Sequence, residues 1–260
     1  MPLNIRTYHE LTEVDRSGLA DQIAAQRRRV AGRLAGVRRV VAVMSGKGGV
    51  GKSFVTAGLA RALARVGRAT GVLDADFNGP TIPSLLHVPV ARYTSHDDAI
   101  EPAVSPEGVR CFSMALLLQE GLPLGFRGPE ADSHVWRETL EAAALREFLA
   151  DVAWGALDHL LIDLPPGMQR FAELAELLPS PPAVVTVTIP TAESRDAVRR
   201  AMRFAAERGA ALVGIIENMS GPPHTGDAGS ELAAEFGLPL LARIPWHPAP
   251  DTWHDLAARI

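Results

Sequence analysis

The chain has a single cysteine, Cys111, among its 260 residues. One thiol excludes an internal disulfide, and it excludes any zinc or iron–sulfur site that takes two thiolates from one chain. No apolar run approaches the ~20 residues that cross a bilayer. The opening MPLNIRTYHE lacks the basic-then-apolar layout of an export signal, so a cytoplasmic location is expected. The net charge of −4 gives the chain no bulk attraction to nucleic acid. Lysine is almost missing: of the 26 basic residues, only Lys47 and Lys52 are lysines. An arginine replaces lysine where only positive charge is needed, but a planar guanidinium does not fit where a compact ammonium must enter a tight site. The two remaining lysines therefore mark such a site.

What is present is ordinary for a globular protein, with 47% apolar and 22% charged residues. The length suits one large α/β domain or two small ones. Residues 19–37 read as an amphipathic helix, with Leu19, Ile23, Val30, Leu34 and Val37 on one stripe and arginines on the rest. Such a helix either packs on the domain with its arginines solvated or meets a partner or an anionic surface. We divide the chain into an N-terminal extension, residues 1–38, and a main domain, residues 39–260.

From residue 39 apolar runs alternate with helical stretches. Strands are expected at Val40–Met44, Gly71–Leu73, Val109–Met114, Leu160–Ile162, Ala183–Ile189, Ala211–Ile216 and Leu240–Ile244. Helices are expected at Lys52–Val66, Ser133–Ala153, Phe171–Leu178, Ala192–Arg208, Gly229–Phe236 and Asp251–Arg259. Several strands are apolar almost throughout, as when helices cover both sheet faces. The pattern predicts an α/β fold with a doubly wound, mostly parallel sheet. Residues 87–108 and 118–132 read as loops, suited to lids or partner surfaces.

The first strand runs into Gly46-Lys47-Gly48-Gly49-Val50-Gly51-Lys52-Ser53, and a helix follows. This is G-x-x-x-x-G-K-[ST] in its strand–loop–helix setting. Glycines let successive N–H groups turn toward phosphate oxygens, and the helix N-terminus adds its positive end. Lys52 is expected to reach the β- and γ-phosphates, and the Ser53 hydroxyl to ligate Mg²⁺. Asp76, in Asp74-Ala75-Asp76, and Asp163, in Asp163-Leu164-Pro165-Pro166-Gly167, follow two further strands. Carboxylates at the carboxyl ends of parallel strands stand where such folds bind ligands, although either is also a fitting turn or cap residue. No lysine is left for a guanine-reading NKxD motif, so ATP is favoured over GTP.

Lys47, directly after the first glycine, is not a requirement of an ordinary P-loop. The loop resembles the deviant Walker A motif of the dimeric ATPases that include MinD, ParA and the nitrogenase iron protein. The blocks DADFNGPT, FRGPE, WGALDHLLIDLPPG, GIIENMS and LLARIP resemble those of the Mrp/ApbC iron–sulfur cluster carrier ATPases, over residues 39 to about 248. That resemblance implies a homodimer in which Lys47 reaches the partner's nucleotide. It implies that Asp76 positions the attacking water and, with Ser53 and Asp163, lies at the metal. It further implies that the Gly167 amide senses the γ-phosphate and that Asn218 contacts adenine.

Two departures stand out. The family's C-x-x-C after ENMS is replaced by Gly221-Pro222-Pro223-His224-Thr225-Gly226-Asp227, and the Thr-Gly-Asp after PPG by Met168-Gln169-Arg170. Cys111, inside an apolar strand, reads as a small core residue, and His247 and His254 do not have a metal-ligand spacing. The expectation is a slow Mg-ATPase switch that works with a partner in iron–sulfur cluster assembly but without its own ligand pair. A ParA/MinD-type positioning ATPase acting through the basic helix, or a regulator that only binds nucleotide, are the alternatives.

Overall fold

The computed structural model describes residues 19–89, 95–96, 99–117, 133–223 and 225–260. Each of the seven expected runs forms a strand: β1 Val37–Ser45, β2 Thr70–Asp74, β6 Arg110–Ser113, β7 Leu157–Asp163, β8 Ala183–Thr188, β9 Ala211–Ser220 and β10 Leu240–Pro245. They pair in parallel in one sheet of order β10-β9-β8-β1-β7-β2-β6-β5. The edge strand β5, Ala103–Val104, runs antiparallel to β6. A short ribbon pairs β3, Ser95–His96, with β4, Ala99–Ile100. The stretch 87–108, expected as loop, thus carries three two-residue strands, too short to show an alternating pattern. Residues 118–132, which include the FRGPE block, the first 18 residues and His224 lie outside the described residues.

Alternation along β1 divides the core. Ala42 and Met44 join one apolar cluster, Val41 and Val43 the other. On the first face lie α1 (Leu19–Arg33), α4 (Ser133–Asp151), α5 (Gln169–Leu177) and part of α6 (Ala192–Glu207). On the second lie α2 (Lys52–Arg65), α3 (Ile82–Leu85) and α8 (Pro250–Ala257). α7 (Ala228–Phe236) packs with α6 over β9. Gly58 lets α8 close on α2, since a Cβ there would lie 2.3 Å from the Trp253 ring. That ring meets Phe54 edge to face at 5.6 Å.

α1 lies against α4, with Val30 and Leu34 buried. Arg29 pairs with Asp151 at 2.5 Å, and Arg33 Nε donates to the Ala150 carbonyl at 3.0 Å. Val37, placed on the helical stripe by its spacing, instead opens β1, because α1 ends at Arg33 and the chain turns through Gly36. A Cβ on Gly36 would lie 2.8 Å from the Gly155 carbonyl oxygen. The sheet direction changes at β1: its helix leads to β2 on one side, whereas β8 lies on the other. Ligands bind beyond the carboxyl ends of strands at such a reversal.

Candidate functional site

The loop from β1 into α2 occupies that reversal. Gly49 and Gly51 have φ of 77° and 74°, a region that side chains adopt at a cost. A concave run of backbone N–H groups follows from such a turn and favours anions. Gly46 is glycine for another reason. A Cβ there would lie 2.2 Å from the Ala197 carbonyl carbon, so α6 backbone presses directly on the loop.

Asp163, fully buried at the end of β7, gathers three donors. Lys52 Nζ lies 2.7 Å from Oδ1, Thr56 Oγ1 2.8 Å from the same oxygen, and Ser53 Oγ 2.6 Å from Oδ2. Lys52 itself is only 6% exposed. The P-loop ammonium therefore rests on a carboxylate at a site built for anions. In front of it opens a cleft of about 390 Å³, lined among others by Lys47, Gly48, Lys52, Ser53, Asp76 and Pro166. The Lys47 carbonyl accepts the Ser45 hydroxyl at 3.0 Å, whereas its ammonium makes no hydrogen bond or ion pair among the described residues. Its charge adds to the hydrogen bonds, from its own backbone and from Thr191, that hold the exposed Glu193 carboxyl low.

The loop that carries Asp76 is anchored by Asp74, to which sequence reasoning gave no role. Asp74 Oδ1 accepts the Asp76 N–H at 3.3 Å, and Oδ2 accepts the Ile82 N–H at 3.2 Å and the Ser113 hydroxyl at 3.0 Å. Burial, then the Asp163 charge across the β2–β7 pair, push the Asp74 carboxyl up to about 7. Thr56 was also missed. Its signal is the spacing, one helical turn beyond Lys52 on the same face.

The chain is similar to known proteins over most of its length. A family model described as NUBPL iron-transfer P-loop NTPase matches residues 36–259. The chain belongs to the iron-transfer P-loop NTPase family. The iron–sulfur cluster carrier protein of Saccharolobus solfataricus is 37% identical over 88% of this chain and 78% of its own. The cytosolic Fe–S cluster assembly factor NUBP2 of Bos taurus is 38% identical over 84% of this chain and 82% of its own. A nucleotide-binding protein of Archaeoglobus fulgidus, solved in complex with ADP, superposes with a TM-score of 0.69 at 34% identity, covering 89% of this chain and 91% of its own. MinD of Pyrococcus furiosus, with a TM-score of 0.60 at 21% identity over 85% of this chain and 98% of its own, shares the fold.

In this member of the family two expected nucleotide contacts are engaged elsewhere. The Gly167 N–H donates to the Ser45 carbonyl at 3.4 Å, a long bond. Asn218 is buried and donates Nδ2–H to the Val50 carbonyl at 2.9 Å, bracing the phosphate loop from behind. Its neighbour Glu217 is engaged away from the cleft: Oε2 accepts the Gly229 N–H at 2.6 Å at the start of α7, and Oε1 pairs with Arg243 at 3.2 Å. Cys111 is fully buried in β6, and burial followed by the Asp74 charge pushes its thiol far up. Among the described residues no group of three or more His, Cys, Asp or Glu converges as a metal site.

Proposed function

We propose that the chain is a dimeric, Mg-ATP-binding and -hydrolysing switch of iron–sulfur cluster assembly, working in the cytoplasm, with a cluster as cargo whose ligands a partner supplies. The convergence of Lys52, Ser53 and Thr56 on Asp163 at the mouth of the glycine loop carries this reading. Residues 39–260 would form the ATPase unit, with the extension of residues 1–38 docked on it through α1.

Asp163 serves in this reading as the stand-in counter-ion for Lys52. When ATP enters, its phosphates take the ammonium, and the loop N–H groups from Gly46 to Ser53 take the remaining oxygens. The Ser53 hydroxyl and the Asp163 carboxylate are adjacent hard oxygen donors, which fits a magnesium site, with Asp76 at its edge. Bound there, magnesium supplies neutralising charge to the phosphates. Asp76, which lines the same cleft, orients water for attack. The Gly167 N–H exchanges the Ser45 carbonyl for phosphate, and Asn218 keeps the loop in place next to the base. Lys47, a half-buried ammonium without a side-chain partner among the described residues, neutralises charge on the nucleotide of the second subunit during transfer.

The cargo reading follows from the donor set. A bridged cluster needs thiolates, and the single thiol, sealed in β6, does not fit that need. The names of the relatives support iron–sulfur assembly as the setting.

Steady-state ATP turnover per chain, measured across protein concentration, tests the reading. Turnover should rise as dimers form. Lys47→Ala should retain nucleotide binding and lose at least about a hundredfold in turnover, as expected when a transition-state cation is removed. Concentration-independent turnover that Lys47→Ala leaves intact refutes it.

A further inference from the structure

Arg170, where the chain departs from the family pattern after PPG, has not yet been given a role. It is 8% exposed, near the start of α5. Its guanidinium pairs with Glu141 of α4 and, at 2.5 Å, with Glu173. It also lies over the Phe77 ring, 5.5 Å from the centroid. The other oxygen of Glu141 accepts Asn78 Nδ2–H at 2.9 Å. Phe77 and Asn78 directly follow Asp76, whereas Arg170 follows Gly167 by one short turn. Two loops that leave different strands, β2 and β7, and reach the same cleft are therefore tied together behind it by one carboxylate.

This is an inefficient way to gain stability. Desolvating a charged pair offsets much of its attraction, and an apolar side chain over Phe77 would pack at least as well. Arg170 Nε is buried without a hydrogen-bond partner among the described residues, which adds to the cost. What the pair supplies and an apolar contact does not is direction. A planar guanidinium held by two carboxylates fixes the start of α5. The same Glu141 carboxylate then fixes the Asn78 amide, two residues from Asp76.

We infer that Glu141 and Arg170 are positioning residues that make the Asp76 loop and the Gly167 loop respond to nucleotide as one unit. The inference rests on the proposed nucleotide reading of the cleft and adds how that cleft is regulated. A shift at Gly167 moves Arg170, Arg170 moves the Glu141 carboxylate, and the carboxylate moves the Asn78 amide. By linkage the coupling is reciprocal.

Hydrogen exchange over residues 77–82 and 167–172, with and without Mg-ADP, tests this on the full chain. In wild type, Mg-ADP should slow exchange in both segments. Asn78 is exposed, so Asn78→Ala should fold normally. It should confine the slowing to 167–172 and lower kcat about tenfold, with KM changed less than about twofold. Asn78→Gln, which keeps an amide donor, should restore part of the shared response. A purely structural contact would leave the exchange pattern and kcat of Asn78→Ala at wild-type values, and that result overturns the inference. So does a wild type in which Mg-ADP slows only one segment or neither. A wild type with the shared response but no ATP turnover refutes hydrolysis and leaves the coupling standing.

Discussion

Asp163→Asn isolates one charge at the centre of the site. The amide matches the carboxylate in shape. Its oxygen can still accept from Lys52 and Thr56, and its NH₂ can donate to the Ser53 hydroxyl oxygen in place of accepting from it. The count of hydrogen bonds therefore survives. What is lost is the counter-charge of Lys52, a 2.7 Å pair whose two side chains are 6% and 0% exposed. Removing one member of a buried pair costs about 3–5 kcal/mol, because the other charge is left behind. The retained hydrogen bonds place this case near 3 kcal/mol, which lowers Tm by roughly 10 °C for a domain of this size. Surface pairs such as Arg38–Asp158, where the arginine is 79% exposed, would cost under about 1 kcal/mol if broken.

Denaturant unfolding in three conditions separates the roles of Asp163. Without ligand the full gap to wild type should appear. With ADP and a chelator, phosphate replaces the lost carboxylate at Lys52, so the gap should shrink by more than half. Adding magnesium should then stabilise wild type and leave the variant nearly unchanged, because one of its oxygen donors has become an amide. A gap below about 1 kcal/mol without ligand would mean that the pair is solvated. A gap that ADP leaves untouched would mean that phosphate does not reach Lys52. Either result refutes the reasoning.

Other outcomes follow from the same geometry. Asp76→Asn should still bind ATP but hydrolyse it at least about tenfold more slowly, read in a single-turnover assay. Gly46→Ala should lose about 3 kcal/mol and weaken nucleotide binding, because its Cβ would meet α6 backbone rather than a movable side chain. His159 titrates below its ordinary 6.5, through burial first and then the Arg39 charge, against Asp158. The unfolded chain therefore takes up a proton before the folded one as pH falls through about 6.5, and stability declines below that point. His159→Gln should remove this decline in melts at about pH 5 and about pH 7.5. Anaerobic reconstitution of the isolated protein with iron and sulfide should leave no cluster after desalting, and a brown dimer holding about four irons would contradict this.

The sheet and the phosphate loop were legible because their signals are local. A buried parallel strand is an apolar run, and G-x-x-x-x-G-K-S concentrates glycine, lysine and hydroxyl in eight adjacent residues. The scarcity of lysine sharpened that signal, since each remaining ammonium had to have a use. What stayed hidden was set by packing between distant segments. Arg170 and Glu141 are 29 residues apart, and Lys52 and Asp163 are 111 apart, so no spacing rule brings them together. Asp74 looked like a bystander to Asp76 because its partners, Ile82 and Ser113, lie on other elements. Val37 was misassigned because a valine fits a helical stripe and a strand start equally well. The crowding that also requires glycine at position 46 stayed hidden because it depends on α6, about 150 residues later.

Cys111 shows why the nucleotide site and the cargo site are separable in this chain. A thiol ligates metal only as thiolate. In β6 it is fully buried, and Asp74 of the neighbouring strand β2 adds negative charge, so both influences hold it protonated. Freeing it would require opening the β2–β6 pairing. That pairing holds Ser113, and Ser113 donates to the Asp74 carboxylate that sets the Asp76 loop. Exposing the one thiol would therefore dismantle the support of the loop proposed to carry out hydrolysis. A sequence that retains the loop and its supports, yet places its only thiol among them, fits the proposed role of driving a change with nucleotide better than a role of holding iron itself. The residues that hold the cargo belong, on this argument, to whatever the switch acts on.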